Sequence, residues 1–171
     1  TIMKDDFSYS RRIWKAKKSN DLVFTRENFR VFPDLVHATL DFDQKATISN
    51  ANPQQSEYRC GEERLYGWKE FAGNDMEGMF FTPDGFDPAK KYPLLVNFYE
   101  RSSDRLHSHR APYAHRSTIN YTYYLSKGYV IFNPDIVYTI GYPGESEAEF
   151  SELIDFIEQV RFDRVGAFQF S

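Results

Sequence analysis

Cysteine is almost absent from this sequence, since Cys60 is the only one among 171 residues. A single thiol excludes an internal disulfide and any zinc or iron–sulfur site built from several cysteines, and we expect Cys60 to be a buried or idle thiol. The longest apolar runs fall far short of the roughly 20 residues that a membrane-spanning helix needs. A net charge of −4 disfavours general electrostatic binding to nucleic acid.

The start of the sequence also lacks two common features. It opens with Thr1 rather than Met, and no charged region followed by an apolar run marks a signal peptide. We therefore expect a segment of a longer polypeptide. Cellular compartment and oligomeric state stay open.

Material for a hydrophobic core is abundant. Hydrophobic residues make up 41% of the chain, which includes 16 Phe, 12 Tyr and 2 Trp, so intrinsic disorder does not describe it. Charge is uneven: residues 1–30 carry a net charge of +4 and residues 145–164 carry −5. We interpret both patches as solvated faces.

The first half of the sequence predicts antiparallel β-structure. Short runs rich in β-branched residues at 21–25 and 35–40 are bounded by polar residues or proline, which is typical of strands. Large and polar side chains alternate over 65–71, and a glycine-containing turn separates that run from 79–82. This pattern predicts a β-hairpin.

The second half has an α/β rhythm. The nearly continuous apolar run 92–99 predicts a strand covered on both faces. Residues 118–127 predict a helix that ends at Gly128, and 129–132 predict the next strand. A strand, a helical crossover and a second strand imply parallel pairing. The predicted fold class is therefore α/β, with an N-terminal antiparallel β segment.

The tail predicts an amphipathic helix. Ser146 and Glu149 have the spacing of a capping box at its start. Five apolar residues then share one helical face: Phe150, Leu153, Ile154, Ile157 and Val160. Residues 165–168 predict a short strand.

Several motifs lie in the same order as in a known family. They are Asn52-Pro53-Gln54-Gln55, Trp68, Gly78 to Pro83, Phe86-Asp87-Pro88, Lys90 to Tyr99, Lys127 to Val130 and Asn133-Pro134-Asp135. Across residues 1–146 these motifs resemble the prolyl oligopeptidase family of serine peptidases. The resemblance implies an α/β-hydrolase catalytic domain preceded by a β-propeller.

The same resemblance implies a division of the chain into three parts. Residues 1–50 are expected to be the end of the propeller, and 51–146 the N-terminal part of an α/β-hydrolase domain with a partial hydrolase-type sheet. Residues 147–171 are expected to form the amphipathic helix and a short strand. Full-length relatives hydrolyse peptides and are often exported from the cell.

One catalytic group is implied by the family pattern. A Tyr at the end of the strand after Lys-Lys-Tyr-Pro donates its hydroxyl to the oxyanion, and that position here is Tyr99. The alternative is a Tyr that closes an aromatic strand with its hydroxyl at the surface. Many relatives continue with Gly-Gly-Pro, whereas Glu100-Arg101-Ser102 follow here.

The rest of the catalytic machinery of the family is missing from these residues. The nucleophile of relatives lies on a G-x-S-x-G elbow, followed by the acid and the base. Gly144-Glu145-Ser146-Glu147-Ala148 lacks the last glycine of that motif, and the helix cap explains Ser146. We therefore predict that the chain alone does not hydrolyse peptides.

The tail resembles a different family. Ile140 to Phe150, Leu153 to Phe156 and Arg161 to Gly166 resemble the radical-SAM methylthiotransferases that modify a ribosomal protein or tRNA. The hexapeptide Gly141 to Ser146 suits both families, so a join there would explain both resemblances. The three-cysteine cluster motif of those enzymes is missing, which excludes their radical chemistry here.

A polar loop carries most of the histidines. His107, His109 and His115 lie among several arginines, which would repel a metal cation, so we predict an exposed basic loop. Binding of an acidic ligand or partner is the alternative. Asp135 ends a predicted strand, and we predict that it fixes a loop. No metal or cofactor is predicted.

Three hypotheses about function follow from these observations. The first is a segment of a prolyl-oligopeptidase-like serine peptidase that carries Tyr99 without the triad, with a peptide as the substrate of the full-length relative. The second is a non-catalytic binding or structural module that uses the loop 100–116. The third is a methylthiotransferase-related chain, identified through its tail.

Overall fold

A computed structural model describes residues 5–10, 12–69, 73–97, 101–113 and 119–135, together with residues 146, 147, 151, 154 and 155. The chain divides into two compact units, Thr1–Ile136 and Val137–Ser171. Among the described residues, no helix is both long enough and apolar enough to cross a membrane.

The first sheet is antiparallel. Its strands are β1 (Ser8–Tyr9), β2 (Trp14–Lys15), β3 (Asp21–Glu27), β4 (Asp34–Thr39) and β5 (Lys45–Thr47). Strand β3 pairs with β1, β2 and β4, and β4 pairs with β5. Alternate residues of β3 and β4 point to one face, so Leu22, Phe24, Val36 and Ala38 form a buried cluster there.

A short connection leads to the second sheet. Asn52 adopts a left-handed conformation (φ 52°), and a 3-10 helix follows at Pro53–Glu57. The second sheet consists of β6 (Glu62–Lys69), β7 (Asp75–Thr82), β8 (Leu94–Val96) and β9 (Val130–Pro134).

The second sheet has mixed pairing. Its strand order is β6-β7-β9-β8, and β7 is antiparallel to both neighbours while β8 and β9 are parallel. Between β8 and β9 the chain forms a 3-10 turn (Ser103–Arg105) and helix α1 (Tyr121–Ser126). Strands β7 and β9 approach closely at Gly78, where a Cβ atom would lie 2.5 Å from the Asn133 carbonyl oxygen. A side chain there would force the strands apart.

The second sheet has its own hydrophobic cluster, separate from that of the first sheet. Its buried members from the second sheet and helix α1 are Met79, Phe81, Tyr121, Leu125 and Ile131. Phe29, which follows β3, is buried in the same cluster. Both sheets belong to the unit Thr1–Ile136, and Phe29 attaches the end of the first sheet to the core of the second.

Most of the predicted elements are confirmed. Strands β3, β4 and β9, the β6–β7 hairpin and the parallel β8–β9 pair lie where the sequence patterns place them. Helix α1 begins three residues after the predicted start, because the Asn120 side chain caps it by accepting from the Tyr123 N–H. The chain leaves it through Gly128 (φ 82°), as predicted.

The prediction for the strand at 92–99 is partly wrong. The described strand covers only Leu94–Val96, and Leu94 is 53% exposed rather than buried on both faces. Leu95 packs against the core, whereas Leu94 points to the opposite face, so only one face of β8 is covered by the described residues. Among the described strands, β8 lies at the edge of the sheet beyond β9. Residues 98–100 lie outside the described residues.

The described residues form mostly β-sheet, with little helix. In the second unit, residues 147, 151, 154 and 155 are helical, in agreement with the predicted tail helix. Of the five apolar residues predicted on one face of this helix, only Ile154 is described. Glu149 and the predicted strand 165–168 also lie outside the described residues. The three-part division at residues 50 and 146 stays a prediction.

Candidate functional site

The candidate site lies at the ends of the parallel strands β8 and β9. Tyr99 itself is outside the described residues, but the chain on either side of it is described. Before it, the Asn97 N–H donates to the Phe132 carbonyl oxygen (2.9 Å) and so extends the β8–β9 pairing. Asn97 Nδ2 also donates to the Tyr121 hydroxyl oxygen (3.0 Å). Two residues before Tyr99, the backbone is therefore fixed.

The Tyr121 hydroxyl is the centre of a buried polar network. Tyr121 and Asn133 are 4% and 2% exposed. With the Asn133 amide oriented so that its polar atoms are paired, its Oδ1 accepts from the Tyr121 hydroxyl (2.6 Å) and its Nδ2 donates to the Asn97 carbonyl oxygen (3.1 Å). Buried polar groups that are fully paired fix one arrangement of the chain. The network thus joins α1, β8 and β9.

After Tyr99, the chain is held by Asp135, which is only 6% exposed. Asp135 Oδ1 accepts from the N–H groups of Ser102 (2.6 Å) and Ser103 (2.9 Å). The Ser103 hydroxyl donates to Asp135 Oδ2. The loop-fixing role predicted for Asp135 is therefore confirmed.

The histidine-bearing loop does not have the predicted exposed position. We name residues 102–110 the anchored loop, because its backbone is bonded to carboxylates of both sheets. The His107 N–H donates to Glu63 Oε1 (2.6 Å), and the His109 N–H donates to Glu27 Oε1 (3.2 Å). The prediction of an exposed basic loop is wrong for His107 and His109, which are half-buried because these carboxylates hold the loop on the sheets, whereas Arg105 is exposed as predicted.

No group of three or more His, Cys, Asp or Glu side chains with metal-binding geometry occurs among the described residues. His107 and His109 instead make separate contacts: His107 with Glu63, and His109 with Gln55 and the Phe32 ring. His115 lies outside the described residues.

Glu63 and Arg110 are charged groups that the sequence did not single out. The Glu63 side chain is only 4% exposed, and this burial raises the pKa of its carboxyl to about 7. Arg110 places its guanidinium carbon 4.5 Å from the centre of the Tyr121 ring and 5.4 Å from that of Phe81. Burial lowers the pKa of Arg110. A cation over aromatic faces is stabilised without a carboxylate partner.

Cys60 matches the expectation of a buried thiol. It is 7% exposed, and burial raises the pKa of its thiol. A thiol of raised pKa is a poor nucleophile. Ser146 directly precedes helical Glu147, in line with its predicted place at a helix start, while Gly144, Ala148 and Glu149 lie outside the described residues.

Comparison with solved structures shows the fold of peptidases. AtxE2 isopeptidase matches with a TM-score of 0.52 at 14% identity, over 84% of this chain and 24% of that chain. Pyrococcus horikoshii acylaminoacyl peptidase matches with a TM-score of 0.53 at 15% identity, over 92% of this chain and 25% of its own. Porphyromonas gingivalis dipeptidyl peptidase 4 matches with a TM-score of 0.52 at 15% identity, over 78% and 19%. The chain thus spans at most about a quarter of these structures, and the likeness concerns the fold.

Comparison with curated proteins gives a different and much shorter match. The ribosomal protein uS12 methylthiotransferase RimO of Prosthecochloris aestuarii is 51% identical over 43 residues, which is 23% of this chain and 10% of that protein. RimO of Chlorobaculum tepidum is 57% identical over 42 residues, again 10% of its length. No protein-family model matches the chain. The chain therefore has a fold similar to part of these peptidases, and it contains a short stretch similar to RimO.

Proposed function

We propose that this chain is a segment of a prolyl-oligopeptidase-like serine peptidase and contributes the first strands of its α/β-hydrolase sheet. The observation that carries the proposal is the second sheet. An antiparallel hairpin leads into a parallel β8–β9 pair with a helix in the crossover. The fold likeness to peptidases over 78% to 92% of the chain supports the same assignment.

The proposed contribution to catalysis is Tyr99 as an oxyanion donor. In α/β-hydrolases, one donor of the oxyanion hole comes from the loop after the third strand of the sheet. In chain order β8 is the third strand of the second sheet, and Tyr99 lies three residues beyond its last residue, Val96. A hydroxyl held there would donate to the negative charge that develops on the substrate carbonyl oxygen. The anchors at Asn97 and Ser102 would limit its movement.

The Tyr99 assignment predicts a contrast between two tyrosine hydroxyls. Tyr99→Phe is expected to leave the free energy of unfolding within about 0.5 kcal/mol of the wild type, because an oxyanion donor faces a cleft. Tyr121→Phe is expected to cost about 1 to 3 kcal/mol, since Asn133 and Asn97 would lose a buried partner. Urea unfolding measures both. Equal losses would mean that the Tyr99 hydroxyl lies in a buried network, which contradicts the assignment.

The proposed function also includes inactivity of the 171 residues alone. They contain no G-x-S-x-G sequence, so no serine on a nucleophile elbow is present among them. The substrate of the complete enzyme is proposed to be a peptide. We expect the purified chain to show no labelling by a fluorophosphonate probe and no cleavage of aminoacyl or dipeptidyl chromogenic substrates.

The labelling experiment needs a positive and a negative control. A known serine peptidase treated in parallel is expected to label fully, and heat-denatured chain gives the background. Stoichiometric labelling of the native chain, lost on changing one of its serines to alanine, would show a nucleophile in these residues and overturn the proposed inactivity.

The second candidate is a methylthiotransferase-related segment, and the short match to RimO favours it. One cysteine cannot supply the three thiolates that hold a radical-SAM cluster, so the proposal extends to ancestry of that segment and not to radical chemistry. A non-catalytic binding module is the remaining alternative, and the anchored loop is the surface it would use.

A further inference from the structure

The anchored loop is bonded to both sheets through acidic side chains. Asp135 follows β9, Glu63 lies on β6, and Glu27 ends β3 of the first sheet. Each accepts one or more backbone N–H groups of the loop. His107 has φ 65°, a conformation that is uncommon for residues other than glycine and persists only where surrounding contacts hold it. The loop therefore depends on these carboxylates for its position.

Glu63 holds the loop with a side chain that is only 4% exposed. Its Oε1 accepts from the His107 N–H at 2.6 Å, while its Oε2 is buried without a hydrogen-bond partner among the described residues. The facing ionisable groups are His107, whose Nδ1 lies 3.8 Å from Oε1, and Arg110, which attracts the carboxylate without forming an ion pair. An ionised carboxylate with one unpaired buried oxygen is costly, and a neutral carboxyl at the same place costs less.

His109 acts in the opposite direction, because burial favours the ring without its second proton, whereas burial favours the protonated form of Glu63. Its Nε2 lies 3.0 Å from Gln55 Oε1, while Gln55 Nε2 donates to the Arg30 carbonyl oxygen. The Gln55 oxygen must therefore accept, so His109 carries a proton on Nε2 when docked. This bond is compatible with both the neutral and the charged ring, and it is burial that favours the neutral ring by lowering the pKa of His109. Charging the ring would place a cation in a half-buried position beside Phe32, where Glu27 offsets only part of the cost.

We propose that the anchored loop is a proton-linked latch between the two sheets, which docks most firmly when Glu63 is protonated and loosens when Glu63 ionises. His109 acts against this, because docking disfavours its charged form. The proposal concerns the described loop and both sheets, and it does not depend on the proposed peptidase function.

The pH window follows from the two groups. Burial raises the pKa of Glu63 from 4.5 to about 7 when the loop is docked, and release to solvent returns it to the lower value. Docking therefore weakens as pH rises between these values, because only the open state loses its proton there, and it is constant above about 7. Burial lowers the pKa of His109 below 6.5, so this residue weakens docking as pH falls below 6.5. The larger Glu63 shift decides the net direction.

Other groups near the latch also shift the pKa values of Glu63 and His109. The His107 N–H bond and, to a smaller extent, Arg110 favour the ionised form of Glu63, and Glu27 favours the charged form of His109. Arg105 and Tyr121 act on Arg110. These contributions reduce the pH dependence without reversing it, since burial is the largest cause of both shifts.

Amide hydrogen exchange of the full chain, resolved at the loop and corrected for intrinsic rates, tests the latch from about pH 4.5 to about pH 8. We expect protection of residues 102–110 to fall by up to about tenfold per pH unit between about pH 5 and about pH 7. Amides of the buried β7 and β9 strands serve as the internal reference and should not follow this trend.

Two substitutions separate the opposing groups. Glu63→Gln mimics the protonated carboxyl. At neutral pH its loop is expected to keep the protection against exchange that the wild-type loop has at about pH 5. His109→Gln retains an amide donor toward Gln55 and is expected to steepen the loss of protection with rising pH. Glu57→Gln, at an exposed carboxylate in the 3-10 helix, is the matched control and should behave as the wild type.

The outcomes are distinguishable even if Glu63→Gln fails to fold. Loop protection that is independent of pH in both the wild type and the His109→Gln chain would overturn the latch, because compensation between the two groups would then be excluded. A folded Glu63→Gln chain that keeps the wild-type pH dependence would overturn it as well.

Discussion

Replacing Phe81 with alanine is expected to lower the free energy of unfolding by about 3 to 5 kcal/mol. Phe81 is fully buried, and its ring centre lies 5.3 Å from that of Phe29 and 4.9 Å from that of Tyr121. The substitution removes the contact that joins the segment after β3 to the second sheet and to helix α1. It also removes one of the two rings that face the Arg110 guanidinium. A loss of this size is a large fraction of the stability of an ordinary domain.

Urea unfolding followed by circular dichroism measures the Phe81→Ala effect. Tyr113→Ala is the control, because Tyr113 is 65% exposed and its loss should change the free energy by no more than about 0.5 kcal/mol. The two tryptophans provide a further readout, since Trp14 lies in β2 and Trp68 in β6. Single-tryptophan chains should report one transition for both sheets. A loss below about 1 kcal/mol for Phe81→Ala would contradict its place in the core, and two separate transitions would show that the Phe29–Phe81 contact does not couple the sheets.

Local patterns explain why much of the fold could be predicted. Alternation of large and small or polar residues identifies β3, β4 and the β6–β7 hairpin, because side chains of a strand point alternately to opposite faces. Gly128 was identified as a helix end because a left-handed residue is needed there, and its φ of 82° agrees. These features depend on neighbours only a few residues away.

The edge position of β8 could not be predicted in the same way. Its apolar run indicates a strand, but the order β6-β7-β9-β8 is a property of the whole sheet. A run of this composition is typical of a strand covered on both faces, and that burial depends on which elements pack on each face. Leu95 packs against the core, whereas Leu94, on the opposite face, is 53% exposed.

The contacts of the anchored loop are also distant in sequence. Glu63 lies 44 residues from His107, and Glu27 lies 82 residues from His109. No local pattern reports such pairs, so polar composition alone predicts an exposed loop. One signal was present: Glu63 is in register with Phe81, so alternation places this carboxylate on the core side of β6. Asp135 was found because a strand end is a common place for a side chain that binds loop backbone.

Replacing Asp135 with alanine is the second substitution for which we expect a large effect, a loss of about 2 to 4 kcal/mol in the free energy of unfolding. The change leaves the N–H groups of Ser102 and Ser103 without their acceptor, and the Ser103 hydroxyl keeps only the longer contact with Glu77 Oε1 (3.4 Å). Unpaired donors at a partly buried site cost more than the bonds contribute, because the donors have also lost water. Urea unfolding measures the loss, and hydrogen exchange locates it.

Two further substitutions separate the parts of the Asp135 contact. Ser103→Ala removes only the hydroxyl bond and is expected to cost about 1 kcal/mol, while Asp135→Asn keeps one oxygen that can accept from both N–H groups and should cost less than alanine. If Asp135→Ala costs no more than Ser103→Ala, the backbone bonds do not hold the loop. A free energy of unfolding that rises in the order Asp135→Ala, Asp135→Asn, wild type would instead show that the backbone bonds hold the loop. Since Tyr99 lies between Asn97 and Ser102, release of the Ser102 anchor would leave the proposed oxyanion donor attached to the sheet at one end only, and its hydroxyl would lose the fixed direction that transition-state stabilisation requires.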